Sequence, residues 1–553
     1  MLHLALLPPP GDKARGLARA LIWLGPLAFG GLAILLGPDA NWDLRNYHWY
    51  NAYAFLNGRH GFDLLPSQTP FFYSPILDAP VYLLGTYLPA KVYAFILGAL
   101  QGLNFCLLFM LSHALLNIPK SARRVATAAA LAAMGMLGGG GIAMIGTVFH
   151  DNLVSIGFLL SLLHIATTIP YLLTLPLRSI LLSAFLYGVP AGMALGLKLT
   201  MIDFCAALPL AILCTGGDFR RRLIIAFAVG CGMTAGMLIT QGYWMWHLWT
   251  HYQSPMFPYF NQIFGAPLAP PTSARDTQYI PHGWREMLSF PFTFAADPKK
   301  VGEIVWRDWR IPMLYALLLP CVWITLLVGR KHDRIQEMAP ALPARFVLWT
   351  AFWAYLVWLL MFCIYRYLVI LEMLAPLLIV LCIGMLPLKR EIRFIVAGAI
   401  LLVAAGSVKP GDWGRGPAWT DNIVQVLAPS VARPESTMLL MGGYEPYSHI
   451  IPFFPAAMPV TRIQSNFASM TENKGINRLI KERVAAHKGG FLLAIPAWQV
   501  AYGDVIQNDL RILGLKFDKK CREFPDNMGY SYALCPVQKT DDKGQMSDDD
   551  DSE

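Results

Sequence analysis

Apolar runs long enough to form membrane helices recur along this chain, separated by short breaks rich in charge, proline or glycine. A helix needs about 20 apolar residues to cross the hydrocarbon core of a bilayer. The pattern predicts spans at 17–37, 92–116, 125–147, 152–174, 179–197, 199–215, 223–243, 312–329, 346–364, 368–387 and 393–407. Lys198 and Asp203 interrupt the fifth and sixth of these. The first run is long for the apolar region of a signal peptide and has no small-x-small cleavage site after it, so it reads as a retained span. Eleven spans make an α-helical polytopic membrane protein whose termini lie on opposite sides.

Two connecting stretches are long. Residues 38–91 are aromatic-rich with amphipathic segments, a composition that predicts a loop lying along the membrane surface. Residues 244–312 hold a proline-rich stretch at 266–271 and many aromatics. Loops of this length in a compact protein are functional or disordered, and the aromatic content favours order. These loops belong with the spans to a module covering 1–407. From 408 to 538 the composition becomes that of a soluble domain. Strands are predicted at 436–443, 458–463, 490–495 and 530–536, with helices at 475–487 and 500–513, giving a small α/β domain. Residues 539–553 are polar and acidic and read as a disordered tail.

Composition supports the membrane reading and charge orients it. Hydrophobic residues make up 56% of the chain and charged residues 14%, too little charge to cover a soluble surface. The net charge of +9 does not indicate nucleic acid, because the basic residues cluster in alternate short loops. They are Lys13, Arg15 and Arg19; Lys120, Arg123 and Arg124; Arg178; Arg220, Arg221 and Arg222; Arg330, Lys331, Arg334 and Arg345; and Lys389, Arg390 and Arg393. That is the positive-inside pattern, which puts these loops and the N-terminus in the cytoplasm and the 408–538 domain outside. Seven of nine cysteines sit in or beside apolar runs as small hydrophobes. Cys521 and Cys535 lie in the exported domain, where a disulfide is expected.

Candidate chemistry gathers at the predicted outer face. Asp39 and Asp43, four apart where the first span ends, would share one face of a helical turn. One reading makes them a general base and a partner that tunes it or binds a cation; the other makes them helix caps. Lys198 ends the fifth span and suits a phosphate, or snorkels to the interface. Arg366 opens the tenth span and suits bidentate phosphate recognition, or pairs with Glu372 or Asp203. His150 starts the fourth span with Asp151 and Asn152, as ligand or as surface cap. Asp43, His150, Lys198 and Arg366 come from distant stretches, yet the predicted topology sends all four to one face. Gly138, Gly139, Gly140 and Gly141 lack the strand and the Lys-Ser/Thr of a phosphate loop and read as close helix packing.

These residues carry a family resemblance. The chain resembles the GT-C superfamily of membrane glycosyltransferases, in its bacterial, polyprenyl-phosphate-dependent, mannosyltransferase-like branch. The first loop is similar to that branch's pattern in Asp43, Tyr47, Ala52, Ala54, Gly58, Phe62-Asp63 and Phe72-Tyr73-Ser74-Pro75. The stretch 192–200 is similar to a glycine-rich span ending in Lys-Leu-Thr, and Arg366-Tyr367 to a late Arg-Tyr motif. Ser254-Pro255-Met256-Phe257-Pro258-Tyr259 resembles an Asn-Pro-x-Phe-Pro-Tyr loop, with Ser254 in place of Asn. The resemblance implies inverting sugar transfer from a polyprenyl-phosphate donor to an envelope glycan, glycolipid or protein, outside a bacterial inner membrane. Asp43 would be the base and Asp39 would orient the acceptor or a cation. Lys198, Arg366 and His150 would hold the donor phosphate, with Tyr47, His48, Tyr73 and Tyr259 as sugar or acceptor contacts. The resemblance implies no particular cofactor, and a divalent cation is a candidate. A polytopic transporter or lipid flippase is the alternative; against it stand the absence of internal repeats and the long outer loops.

Overall fold

The computed structural model describes Pro8 and residues 12–323 and 335–540. The expected cytoplasmic residues Arg330, Lys331 and Arg334, and the expected tail from 541 onward, lie outside them. The chain divides into two compact units: residues 1–38, 91–243 and 275–415 in one, and residues 39–90, 244–274 and 416–553 in the other.

The first unit is helical, as expected of a multi-pass membrane protein, but the count of long spans falls short of eleven. Among the described residues, seven helices are long and apolar enough to cross a bilayer: Lys13–Leu36, Ala90–Leu115, Asp151–Thr174, Leu177–Leu197, Phe219–Tyr252, Ala341–Met361 and Tyr365–Met385. The other four predicted spans differ for local reasons. Helix Ser121–Met136 stops after 16 residues, because the glycine run that follows turns its amides elsewhere: Gly140 and Gly141 donate to the Glu372 carboxylate, at 3.1 and 2.8 Å. The stretch from Leu199 starts as a 3₁₀ turn and continues as the 13-residue helix Ile202–Cys214. Helix Arg310–Trp323 ends where the described residues end. Helix Arg390–Ser407 is long enough but opens on Arg390, Glu391 and Arg393, and buried Arg393 is bonded to Glu337.

Small residues let these helices approach closely. A Cβ at Gly188 or Gly192 would overlap the carbonyls of Val229 and Met233 on helix Phe219–Tyr252, and one at Gly232 or Gly236 would overlap Phe185 and Val189 in return. Glycine at the contact is the usual way to gain van der Waals packing where lipid removes the hydrophobic drive. Gly138 likewise has the Glu372 side chain where its Cβ would stand. Helix Phe219–Tyr252 has 34 residues, about 51 Å at the usual rise, well beyond the bilayer core. Its last turns, from Trp244, belong to the second unit.

The second unit is built on a six-stranded mixed sheet: β1 (Thr437–Met441), β2 (Val460–Arg462), β3 (Gly490–Pro496), β4 (Leu515–Phe517), β5 (Arg522–Pro525) and β6 (Ser531–Lys539). The order is β2-β1-β3-β6-β4, with β5 also on β6. β1 runs parallel to both β2 and β3, whereas β6 is antiparallel to β3, β4 and β5. Central β1 is a continuous apolar run buried beyond its first residue, as a strand covered on both faces must be. Helices Gly475–Ala486 and Asp504–Ile512 place Ile476, Ile480, Val484, Ile506 and Leu510 in the core. Cys521 and Cys535 are joined by a disulfide.

The first loop belongs to this same unit and is well structured. It contains the wide helical turn Leu44–His48, helix Trp49–Leu56, a 3₁₀ turn at Thr69–Phe72 and helix Asp78–Tyr87. Tyr50, Leu64, Leu65, Phe71 and Phe72 share a hydrophobic core with Met438, Leu440 and Ile463. Leu64 extends the sheet at its β2 edge, donating to Val460 O at 2.9 Å and accepting from Arg462 N at 3.0 Å. Asp63 locks this junction. Its carboxylate accepts from Arg59 Nε (2.6 Å) and Nη2 (2.8 Å), Tyr50 OH (2.8 Å) and Val460 N (2.9 Å), while Arg59 Nη2 also donates to Met458 O.

Candidate functional site

The candidate base lies in the second unit, in the first helical turn of the first loop. Asp39 accepts from Asn41 N at 3.0 Å and Asn41 Nδ2 at 2.6 Å, and Asn41 Oδ1 in turn accepts from Leu44 N at 2.8 Å. An Asx turn followed by a side-chain cap starts a helix in this way. Asp39 thus builds the turn on which Asp43 stands.

Asp43 is buried, and its Oδ2 accepts from Tyr47 OH at 3.3 Å. The four-residue spacing puts these two on one face, as expected for helical neighbours. The Tyr47 ring packs on His48 at 4.0 Å and meets the Tyr73 ring edge-on at 5.3 Å. Tyr73 OH lies 2.6 Å from Tyr259 OH, and their rings stack. The structure therefore joins Asp43, Tyr47, His48, Tyr73 and Tyr259 into one polar and aromatic row drawn from both long loops. His48 Nδ1 is 2.7 Å from Asp78 Oδ1. A ring nitrogen and a carboxylate oxygen this close can both serve one divalent cation, so this pair provides the candidate cation ligands of the unit. Sequence reasoning missed Asp78. Its only signal is a lone acidic residue in the first turn of an otherwise apolar helix.

The second unit also fastens this turn from the sheet side. The Arg45 guanidinium lies 3.7 Å from the Tyr530 ring centroid and donates to Ala40 O and Pro446 O. Ser448 Oγ donates to Asn46 O. Buried His449 contacts Arg45 O through Nδ1 (3.2 Å) and Asp526 through Nε2 (3.0 Å). Burial, partly countered by the Asp526 carboxylate, pushes the His449 imidazole below its ordinary value.

The candidate cations lie in the first unit. Lys198 sits at the break between helix Leu177–Leu197 and the following 3₁₀ turn, where its Nζ is 2.8 Å from Asp151 Oδ2 and 5.6 Å from the Tyr367 ring. Arg366, on the 3₁₀ turn Tyr365–Leu368, lies over Phe149 at 4.3 Å, Trp413 at 5.3 Å and Tyr367 at 5.9 Å. His150 stands between Phe149 and Asp151 and is the cap residue of helix Asp151–Thr174, its carbonyl accepting from Leu153 N and Val154 N. Lys198, Arg366 and the Phe149–Asp151 turn are thus gathered around Tyr367. Tyr365 anchors the Arg366 turn by donating to Glu372 at 2.6 Å, and Glu372 is already engaged by Gly140 and Gly141. No family model, curated protein or solved structure matches this chain.

Proposed function

We propose that this chain is an inverting glycosyltransferase of GT-C type, moving a sugar from a polyprenyl-phosphate donor to an envelope glycan, glycolipid or protein at the outer face of a bacterial inner membrane. The observation that carries this reading is the gathering of Lys198, Arg366 and the His150 turn around Tyr367, from three distant stretches of a membrane-spanning unit. Two cations beside aromatic rings, at the ends of apolar helices, suit a phosphate whose lipid tail lies in the bilayer.

In this scheme the acceptor oxygen attacks the anomeric carbon as the bond from that carbon to the phosphate oxygen breaks. Asp43 takes the acceptor proton, held by Tyr47 on the turn that Asp39 builds. Lys198 and Arg366 offset the charge that develops on the departing polyprenyl phosphate, the largest kind of contribution such sites make. His150 supports the phosphate, and Tyr73 and Tyr259 offer ring and hydroxyl contacts to sugar. A divalent cation, where bound, would be held by His48 and Asp78 and would add positive charge.

The purified chain in detergent, given synthetic polyprenyl-phosphate sugars and a crude envelope acceptor, should consume donor and release polyprenyl phosphate. A transporter would move the lipid in vesicles without breaking the sugar-phosphate bond. The orientation is tested by single cysteines labelled from outside the cell: positions 265 and 508 should react, and positions 13 and 221 should not.

A further inference from the structure

The second unit carries polar and aromatic groups that the transfer chemistry does not use. In a sheet whose strand order reverses around a central parallel strand, the two neighbouring crossovers leave a crevice at the carboxyl ends, where ligands bind. Here β1 is that strand, with β2 on one side and β3 on the other. Its carboxyl end runs into Gly442, Gly443 and Tyr444, and β3 ends in the turn Ala497–Val500.

This end of the sheet exposes aromatic rings. Tyr444 is 59% exposed, Trp498 59% and Tyr502 72%, and the Trp498 and Tyr502 rings stand 6.3 Å apart. Carboxamides lie among them. Gly443 has a φ of +81°, and its N–H donates to Gln464 Oε1 at 2.8 Å. The Gln499 amide occupies the space where a Gly443 side chain would stand. Among the described residues, Gln499 Oε1 is buried with no hydrogen-bond partner, and so is Nη2 of Arg462, a fully buried residue whose Nη1 donates to Gly443 O at 2.8 Å. Native proteins leave few such groups unpaired, because each forfeits a hydrogen bond it had in water.

We infer that this edge is a carbohydrate-binding site, with Trp498, Tyr502 and Tyr444 as ring platforms and Gln499, held beside Gly443, as the hydroxyl partner. Exposed rings with amides match a neutral polyhydroxylated ligand, whose C–H faces stack and whose hydroxyls need both donors and acceptors. A membrane surface would call for a cluster of basic residues, and 497–512 carries one, Arg511, against two carboxylates, Asp504 and Asp509. The site is also tied to the turn of the candidate base: Gln68 of the first loop donates to Tyr444 O at 3.0 Å, and Arg45 donates to Pro446 O. Resting on the proposed transfer reaction, the bound carbohydrate is part of the acceptor.

The test titrates the full chain in nanodiscs with mannohexaose and, separately, N-acetylchitohexaose, by calorimetry. At least one should bind saturably, and Trp498→Ala and Gln499→Ala should each weaken it by about tenfold or more, as loss of a central contact does. Trp498→Phe should keep most of the affinity, and Trp498 is exposed enough for truncation to spare the fold. Absence of binding to both sugars, or unchanged affinity in both alanine variants, overturns the inference. So does quenching of the Trp498 emission, taken as wild type minus Trp498→Phe, by brominated lipid in the nanodisc, which would make the ring a membrane anchor. Loss of donor turnover as the basis of the transfer reading would leave a measured sugar affinity standing, and the converse also holds.

Discussion

The hydroxyls of Tyr73 and Tyr259 lie 2.6 Å apart although 186 residues separate them in the chain. One comes from the first long loop and the other from the second, and through the Tyr47 ring the contact continues to Asp43. A polar, aromatic row with a buried carboxylate at one end is an arrangement that can meet a sugar hydroxyl and accept its proton. Its first turn is tied to the 446–449 segment of the same unit through Arg45, Asn46 and the Arg45 carbonyl.

The junction at Asp63 is the first place to test that support. Asp63→Ala leaves the buried Arg59 guanidinium without its carboxylate and removes acceptors from Tyr50 and Val460. Breaking one side of a buried pair costs about 3–5 kcal/mol. Thermal unfolding should show a lowered Tm, and limited proteolysis should open residues 416–540. Arg59→Lys should lose less but still some, since one ammonium cannot replace the two-pronged contact.

How far the sequence reads is clearest around this junction. The strands at 437–441 and 490–496 are long apolar runs and the two helices between and after them have clean periodicity, so the domain was legible. Strands β4 and β5, at three and four residues, are too short for alternation to register. The span at 125–147 fails because glycines look apolar in composition but need not continue a helix, and here Glu372 takes their amides. The fusion of the first loop to the sheet rests on contacts such as Arg59 to Met458, which no local pattern announces. Among candidate residues, Asp43 was legible from its four-residue spacing to Asp39, while Tyr47, Tyr73 and Tyr259 entered through the family resemblance, because no local pattern joins positions 73 and 259. Asp78 was not, because its partner His48 is 30 residues away.

A pH effect follows from His60. Burial, and to a lesser degree His247 and His251, lowers its imidazole to about 4. The folded chain therefore keeps His60 neutral at pH values where the unfolded chain, near 6.5, takes up a proton. Stability tied to this residue is present above pH 6.5 and falls as pH drops from there toward about 4, by roughly 1.4 kcal/mol for each unit well inside the window. Comparing wild type with His60→Gln between pH 7.5 and 5 isolates it: wild type should lose more Tm on acidification than the variant.

Lys198 and Arg366 make a separate claim, about charge. Lys198→Met and Arg366→Met should each lower donor turnover by about 10²–10³-fold, the usual scale for removing one stabilising donor from a developing anion. Expression and detergent Tm should stay near wild type for Arg366→Met. For Lys198→Met, Asp151 loses its ion pair, so Lys198→Arg is the control, and it should keep the fold with part of the activity.

The most direct measurement is single-turnover consumption of a synthetic polyprenyl-phosphate sugar by wild type and by Asp43→Asn. The amide preserves size and a contact with Tyr47 but cannot take the acceptor proton. Base catalysis contributes about 10²–10⁴-fold, so the rate should fall by that much while donor binding, measured separately, survives. Asp39→Asn should cost less, since Asp39 shapes the turn through Asn41. Wild-type turnover in Asp43→Asn, in Asp39→Asn and in the double variant would contradict a carboxylate base in this loop, and with it the proposed transfer mechanism.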